Sequence, residues 1–125
     1  MTKVLIVEDE PLVARMYQKS LSFSDIDSEV AIGGLEGLNK AKKILPDLIL
    51  LDIMMPEPDG MEVLEKLKED PDTKNIPVVI LTNLSGKYDS ELAKEKGAVD
   101  YWVKKDAEPK ELGRKIEELL NSKKT

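Results

Sequence analysis

A short apolar run that ends in a single carboxylate constrains the fold of this chain more than any other feature. Residues 48–51 are Leu, Ile, Leu and Leu, and Asp52 follows them directly. A continuous apolar run of this length is typical of a strand that is buried on both faces, as in a parallel sheet. Asp52 would then lie at the carboxyl end of that strand, where open α/β folds bind their ligands.

The rest of the chain alternates between strand-like and helix-like segments. Strands are predicted at 3–7, 28–32, 48–51, 76–82 and 100–103, and each is followed by a segment with helical spacing of apolar residues. Five β-α units with short connections predict an α/β fold, a doubly wound parallel five-stranded (βα)5 sheet with helices on both faces. The 125 residues suit one domain. We expect a single domain over 1–125 with no effector domain.

Helical spacing also predicts which side chains face the core. For the first, second and fourth helices the predicted apolar positions are Leu12, Val13, Met16, Tyr17 and Leu21, then Leu35, Leu38, Ala41 and Leu45, then Tyr88, Leu92 and Ala93. The fourth set is thin, so this helix is a candidate for movement. Gly37 is expected to weaken the second helix, Gly97 to cap the fourth, and residues 121–125 to form a frayed tail. Trp102 is expected to pack in the core under the last helix, opposite Tyr101.

Composition excludes several classes of function. The net charge of −6 disfavours direct nucleic-acid binding, which needs a basic surface. The chain has no cysteine and no histidine, so a bound metal would have only oxygen ligands, as Mg²⁺, Ca²⁺ and Mn²⁺ prefer. No apolar stretch is long enough to cross a membrane, and the start runs directly into a strand. We therefore expect a cytoplasmic protein.

Polar side chains follow four of the five predicted strands. Glu8 and Asp9 follow the first strand, Asp52 the third, Thr82 ends the fourth and Lys104 follows the fifth. These strand ends converge on one crevice in a doubly wound sheet. Three carboxylates there would repel one another, which raises at least one pKa and favours a divalent cation. The set suits phosphoryl transfer to Asp52, because that chemistry needs mainly a nucleophile, positioning and positive charge.

Several stretches, in this order along the chain, carry a resemblance to a known family. They are Val4 to Glu10, Leu50 to Pro56, Asp59-Gly60, Ile80 to Thr82 and Gly97 to Lys104. The chain resembles a stand-alone, CheY-like receiver domain of two-component response regulators. The resemblance implies a flavodoxin-like sheet with strand order 2-1-3-4-5.

The resemblance also implies roles for the strand-end residues. Asp52 would be the phospho-acceptor, assisted by Thr82 and Lys104. Mg²⁺, or Mn²⁺ in its place, would be held by Glu8, Asp9, Asp52 and the backbone carbonyl of Met54. Thr82 and Tyr101 would form the switch. In such a domain these residues assist only the phosphorylation and dephosphorylation of their own aspartate, so the chain is not expected to be an enzyme.

The implied partners are proteins. The phosphoryl donor would be a sensor histidine kinase or a histidine phosphotransfer protein, and the output would be contact with a downstream protein target through the face formed by helix four, strand five and helix five. Neither direct nucleic-acid binding nor membrane binding is implied, and the chain would be a monomer or a weak dimer.

Lys105 and Asn83 are two of the residues that depart from the family pattern, and three alternative functions follow from the site. Lys105 replaces the proline that usually follows the lysine, and a cis bond there would cost about 3–4 kcal/mol. Asn83 replaces a small residue. These departures support a phosphorylation-independent pseudo-receiver that serves as a binding scaffold. An aspartate-nucleophile phosphatase would need an acid where Met54 lies. A flavin binder would need a phosphate loop after the first strand, where residues 8–10 are all acidic.

Overall fold

The computed structural model describes residues 1–124 and has the predicted β-α alternation. The strands are β1 (Lys3–Val7), β2 (Asp27–Ala31), β3 (Leu48–Leu51), β4 (Val78–Thr82) and β5 (Asp100–Val103). The helices are α1 (Pro11–Ser22), α2 (Gly34–Ile44), α3 (Gly60–Glu69), α4 (Lys87–Glu95) and α5 (Pro109–Lys124), and a 3₁₀ turn spans Lys104–Asp106. The predicted frayed tail was wrong for residues 121–124, which continue α5, and Thr125 lies outside the described residues.

The five strands form one parallel sheet in the order β2-β1-β3-β4-β5, which confirms the predicted fold. Val7 at the end of β1 pairs with Leu51 at the end of β3, and Thr82 at the end of β4 pairs with Val103 at the end of β5. The carboxyl ends of these four strands therefore reach the same edge of the sheet.

Side-chain alternation along the strands divides the core into two layers. Leu5, Val7, Ile49 and Leu51 face α2 and α3, whereas Val4, Ile6, Leu48 and Leu50 face α1 and α5. This alternation follows from the two-residue period of a strand. Trp102 lies in the second layer with Leu112 and Ile116 of α5, as predicted.

The predicted core faces of three helices were partly wrong. Leu12 is 82% exposed, Leu35 is 65% exposed and Tyr88 is 74% exposed. Smaller residues make the contacts instead, because these helices lie close to the sheet: Ala14 in α1, Gly34 and Gly37 in α2, and Ala93 in α4 are buried.

Gly37 shows why such small residues are needed. A Cβ atom on Gly37 would lie 2.7 Å from Cγ1 of Val7. Gly37 lowers the helix propensity of α2, but it also permits the close approach of α2 to β1, which compensates for that cost.

A glycine in the left-handed backbone region follows α4. Gly97 follows α4 with a φ of +111°, and the Ala98 N–H donates to the Ala93 carbonyl, so Gly97 caps the helix as predicted. Among residues 1–124, no helix has the length and apolar character needed to cross a membrane.

Candidate functional site

Backbone hydrogen bonds fix Glu8 and Asp52 at the carboxyl edge of the sheet. The Glu8 N–H donates to the Ala31 carbonyl at 3.1 Å, and the Asp52 N–H donates to the Val7 carbonyl at 3.1 Å. Each residue thus extends its strand by one position. Both side chains are buried, with Glu8 only 2% exposed and Asp52 6% exposed.

Lys104 joins these two carboxylates. Its Nζ lies 2.6 Å from Oε1 of Glu8 and 3.1 Å from Oδ2 of Asp52. The lysine begins the 3₁₀ turn after β5, and its side chain is only 12% exposed. The structure therefore brings together residues from the ends of three strands that are far apart in sequence. Hydrogen bonds to charged groups of this kind are stronger than those between neutral groups.

Asp9 and Glu10 lie beside Glu8 at the entrance to α1. The carboxylates of these three residues each place an oxygen within 4.8 Å of the others. Glu10 is exposed, and its N–H donates to Oε2 of Glu8 at 3.3 Å. The expected metal ligands include Glu8 and Asp9 but not Glu10, so the place of Glu10 in this cluster was missed. The signal available in the sequence was the unbroken run of three acids.

The loop after β3 holds the second oxygen of Asp52. The Met54 N–H donates to Oδ1 of Asp52 at 3.0 Å, whereas the Met54 side chain is exposed. The start of α3 packs closely against the same backbone: a Cβ on Gly60 would lie 2.3 Å from the Asp52 carbonyl oxygen. The Asp59-Gly60 pair carries the family resemblance, and in the structure Gly60 also lets α3 pack against the backbone of Asp52.

Thr82 and Tyr101 both form hydrogen bonds with the backbone of Leu84. Thr82 is fully buried, and its Oγ1 accepts from the Leu84 N–H at 3.4 Å. The Tyr101 hydroxyl donates to the Leu84 carbonyl at 2.7 Å. In the described part of the chain, no hydrogen bond joins Thr82 to Asp52 or Lys104.

The peptide bond after Lys104 is not cis. Within residues 1–124 the cis peptide is Glu57–Pro58. The bond between Lys104 and Lys105 is trans, as expected because a cis bond before a residue other than proline is energetically costly. Lys104 nevertheless reaches Asp52 without a proline behind it.

A comparison with known proteins identifies the family. The model of the response regulator receiver domain matches residues 4–117. The chain belongs to this family. Its relatives are response regulators, which places this receiver domain in two-component signalling.

Two curated relatives are longer than this chain. The receiver domain is 40% identical over 102 residues to the response regulator PleD of Caulobacter vibrioides, an alignment that covers 82% of this chain and 22% of PleD. It is 36% identical over 118 residues to the alkaline phosphatase synthesis transcriptional regulatory protein PhoP of Bacillus subtilis, covering 94% of this chain and 48% of PhoP. The matched region is therefore less than half of either relative.

Solved structures of similar proteins have the same fold. The chemotaxis protein CheY4 of Vibrio cholerae superposes with a TM-score of 0.86 at 29% identity, covering 94% of this chain and 98% of that one. The Mn²⁺-bound form of the response regulator Rcp1 superposes with a TM-score of 0.74 at 33% identity, covering 95% and 91%.

Burial and the mutual charges change the pKa values of Glu8 and Lys104 in the charged cluster. Burial raises the pKa of the Glu8 carboxyl, Lys104 opposes this by donating a hydrogen bond, and the charge of Asp52 adds to the rise. Burial alone would lower the pKa of the Lys104 ammonium, but its hydrogen bonds to Glu8 and Asp52 raise that pKa above the ordinary value of 10.5. Lys104 is therefore charged at neutral pH.

The raised pKa of Glu8 predicts a pH dependence of stability. The folded protein keeps the Glu8 proton at pH values where the unfolded chain, with a pKa near 4.5, has released it. The contribution of this group is thus fully present below about pH 4.5 and is lost as the pH rises through the higher folded pKa. In Glu8→Gln, we expect a smaller loss of unfolding free energy over this interval.

Urea unfolding across a pH series, with a chelator present, measures this loss. Glu95→Gln is the matched control, since Glu95 is exposed on α4 and lies outside the acidic cluster. It should keep the wild-type dependence on pH. Equal pH dependence in Glu8→Gln and the wild type would contradict the prediction.

The donor set fits a hard divalent cation. Glu8, Asp9 and Glu10 offer clustered carboxylate oxygens, and Asp52 shares the Lys104 ammonium with Glu8. Oxygen ligands of this type suit Mg²⁺ and Mn²⁺. A cationic group already lies among these acids, which shows that the site accommodates positive charge.

Proposed function

We propose that this receiver domain accepts a phosphoryl group on Asp52 from a phosphohistidine of a sensor histidine kinase or a histidine phosphotransfer protein. The observation that carries the proposal is the pair of hydrogen bonds from Lys104 Nζ to Glu8 and Asp52. It places a buried carboxylate nucleophile beside a fixed positive charge at the edge where the strand ends meet. Phosphoryl transfer needs this combination of positioning and charge.

The reaction forms one bond and breaks one. A carboxylate oxygen of Asp52 attacks phosphorus, the bond from phosphorus to the imidazole nitrogen breaks, and its electron pair leaves with the imidazole. Lys104 faces the side of Asp52 that carries Oδ2, while the Met54 N–H holds Oδ1. Lys104 would therefore stabilise the transferring phosphoryl oxygens, and Thr82 would donate its hydroxyl to one of them after moving from Leu84.

The proposed metal is Mg²⁺, with Mn²⁺ as a substitute. Its ligands would be Glu8, Asp9, Asp52 and the backbone carbonyl of Met54. Bound there, the ion would supply positive charge to the phosphoryl oxygens in addition to that of Lys104. The acidic cluster supports this assignment, as does the Mn²⁺-bound form of the similar protein Rcp1.

The proposed output is a change of the face formed by α4, β5 and α5, which would contact a downstream protein. Ala93 is the buried residue of α4, so few contacts oppose a shift of this helix. The hydrogen-bonded path from Thr82 through Leu84 to Tyr101 supports a link between the phosphorylated site and that face. The domain would act on no other substrate and would be a monomer or a weak dimer.

Incubation with acetyl phosphate and Mg²⁺, followed by intact-mass measurement, tests the proposed function. We expect a single phosphoryl adduct that disappears when a chelator replaces Mg²⁺. No adduct at saturating donor and Mg²⁺ would overturn the proposal and would favour the pseudo-receiver scaffold. Replacement of Mg²⁺ by Mn²⁺ should restore the adduct.

A further inference from the structure

Strand β2 lies at the edge of the sheet, beside β1. The Ala31 carbonyl accepts from the Glu8 N–H, so the backbone groups of Ala31 point toward β1. Backbone groups of neighbouring residues in a strand point to opposite sides. The N–H and carbonyl groups of Ser28 and Val30 therefore point outward, away from the sheet. An outward row of this kind is a template on which another strand can add.

Side chains from the two flanking helices cover the two outward carbonyls. Nε2 of Gln18, in α1, donates to the Ser28 carbonyl at 3.1 Å. Nζ of Lys40, in α2, donates to the Val30 carbonyl at 2.6 Å. Because α1 and α2 pack on opposite faces of the sheet, the two donors reach the edge from both sides. Each outward carbonyl of the strand thus already has a hydrogen-bond partner.

A carboxylate one turn earlier in α2 holds Lys40 in this position. Nζ of Lys40 lies 3.4 Å from Oε1 of Glu36, four residues before it, a spacing at which opposite charges attract on a helix surface. Oε2 of Glu36 accepts from the N–H of Ile32, which directly follows β2, at 2.9 Å. Glu36 therefore joins Lys40 to the end of the strand whose carbonyl the lysine covers.

The edge of β2 is covered by these side chains and is not buried under a helix. A cleft of about 370 Å³ lies beside the strand, and Gln18, Val30 and Lys40 are among the residues that line it. Space therefore remains at this edge for an approaching strand. Natural proteins often block such edges with charged side chains, above all with lysine.

We propose that Gln18 and Lys40 keep this edge closed to a second copy of the chain. Two copies of β2 would pair antiparallel about a two-fold axis, with Ser28 opposite Val30 and with Glu29 at the centre. Each such pair would need both outward carbonyls as acceptors, and these are the carbonyls that the two side chains hold. The β2 edge is thus a self-association surface that the wild-type chain blocks. This inference does not rest on the proposed phosphorylation.

Disulfide trapping under dissolved oxygen tests the closed edge, because the chain has no cysteine of its own. Glu29→Cys places a thiol at the proposed two-fold axis, where opposed Cα atoms would be about 4.5 Å apart, within the range for a disulfide. In this background, Gln18→Ala with Lys40→Ala removes both donors and keeps good helix formers. We expect the linked dimer to form about tenfold to a hundredfold faster than in Glu29→Cys alone, since two competing hydrogen bonds are lost.

Lys19→Ala with Lys43→Ala is the matched control in the same background, since both lysines are exposed on the same two helices. It should form the dimer at the rate of Glu29→Cys alone. Equal rates in all three proteins would overturn the proposal, and so would fast trapping in the control. Melting temperatures show whether the double variant folds. If it does not, Gln18→Ala and Lys40→Ala are made singly, and each must trap the dimer faster than Glu29→Cys alone or the proposal is wrong.

Discussion

Asp52→Asn is expected to abolish the phosphoryl adduct that acetyl phosphate forms in the presence of Mg²⁺. The amide has nearly the same size, and its oxygen can still accept the hydrogen bond that Oδ1 receives from the Met54 N–H. It has no negative oxygen with which to attack phosphorus. It would also present an NH₂ group to Lys104 if it keeps that orientation, so the charge-assisted hydrogen bond at 3.1 Å is lost.

A matched control separates the loss of the nucleophile from damage to the loop. Asp59 lies in the same connection between β3 and α3, where its side chain caps α3 by accepting from the Glu62 N–H at 3.0 Å. Asparagine is an equally good residue at a helix N-cap, so Asp59→Asn should fold and form the adduct as the wild type does. Intact mass and peptide mapping of both variants give the result. An adduct that persists in Asp52→Asn, at any residue, would contradict the assignment of the acceptor.

The structure also shows which parts of this site a sequence can predict. Strand ends in a parallel sheet meet at one edge, so Glu8, Asp52 and Lys104 were expected together before any coordinates were known. The distance of 2.6 Å between Lys104 and Glu8 was not predictable, because it depends on the 3₁₀ turn after β5. The pairing of Lys104 with both Glu8 and Asp52 is determined by tertiary structure and not by local sequence.

The errors in the helices have one physical cause. Periodicity locates apolar residues, but a helix that approaches a sheet closely must present small residues at the point of contact. Gly37 against Val7 and Gly60 against the backbone of Asp52 are such points. Leu35, in the same helix as Gly37, remains exposed, and so does Leu12 in α1, where Ala14 is buried. Hydrophobic spacing alone does not distinguish the helix positions that contact the sheet from the neighbouring positions that remain exposed.

Tyr17 illustrates the same limit at the site itself. Its spacing predicted burial, and the structure confirms that burial. The sequence contains no sign that Tyr17 lines the same small space as Lys104, because residues 17 and 104 are brought together only by the packing of α1 over the sheet.

Lys104→Met is expected to lower the free energy of unfolding by about 3 kcal/mol in the absence of divalent cations. Methionine keeps an unbranched stem of similar length but removes the ammonium. Glu8 and Asp52 are both nearly inaccessible to solvent, so two carboxylates would be left buried without their shared cation. Removing one partner of a buried ion pair is costly because the remaining charge is neither solvated nor compensated.

Mg²⁺ should recover much of this loss, and the recovery distinguishes charge from packing. A cation that binds only the folded state stabilises it by mass action. In the wild type, Lys104 holds Glu8 at 2.6 Å and competes with a metal for that carboxylate. In Lys104→Met the competitor is gone, so the increase in unfolding free energy at millimolar Mg²⁺ should be larger than in the wild type.

Urea unfolding of both proteins, with a chelator and with Mg²⁺, measures the two effects. Lys105→Met is the matched control: Lys105 is the exposed neighbour, and the described residues contain no ion pair that involves it. It should leave both the stability and the Mg²⁺ response at wild-type values. If Lys104→Met were as stable as the wild type without divalent cations, the hydrogen bonds to Glu8 and Asp52 could not be what balances these buried charges. If it were destabilised but unresponsive to Mg²⁺, the loss would lie in packing and the acidic cluster would not be a cation site.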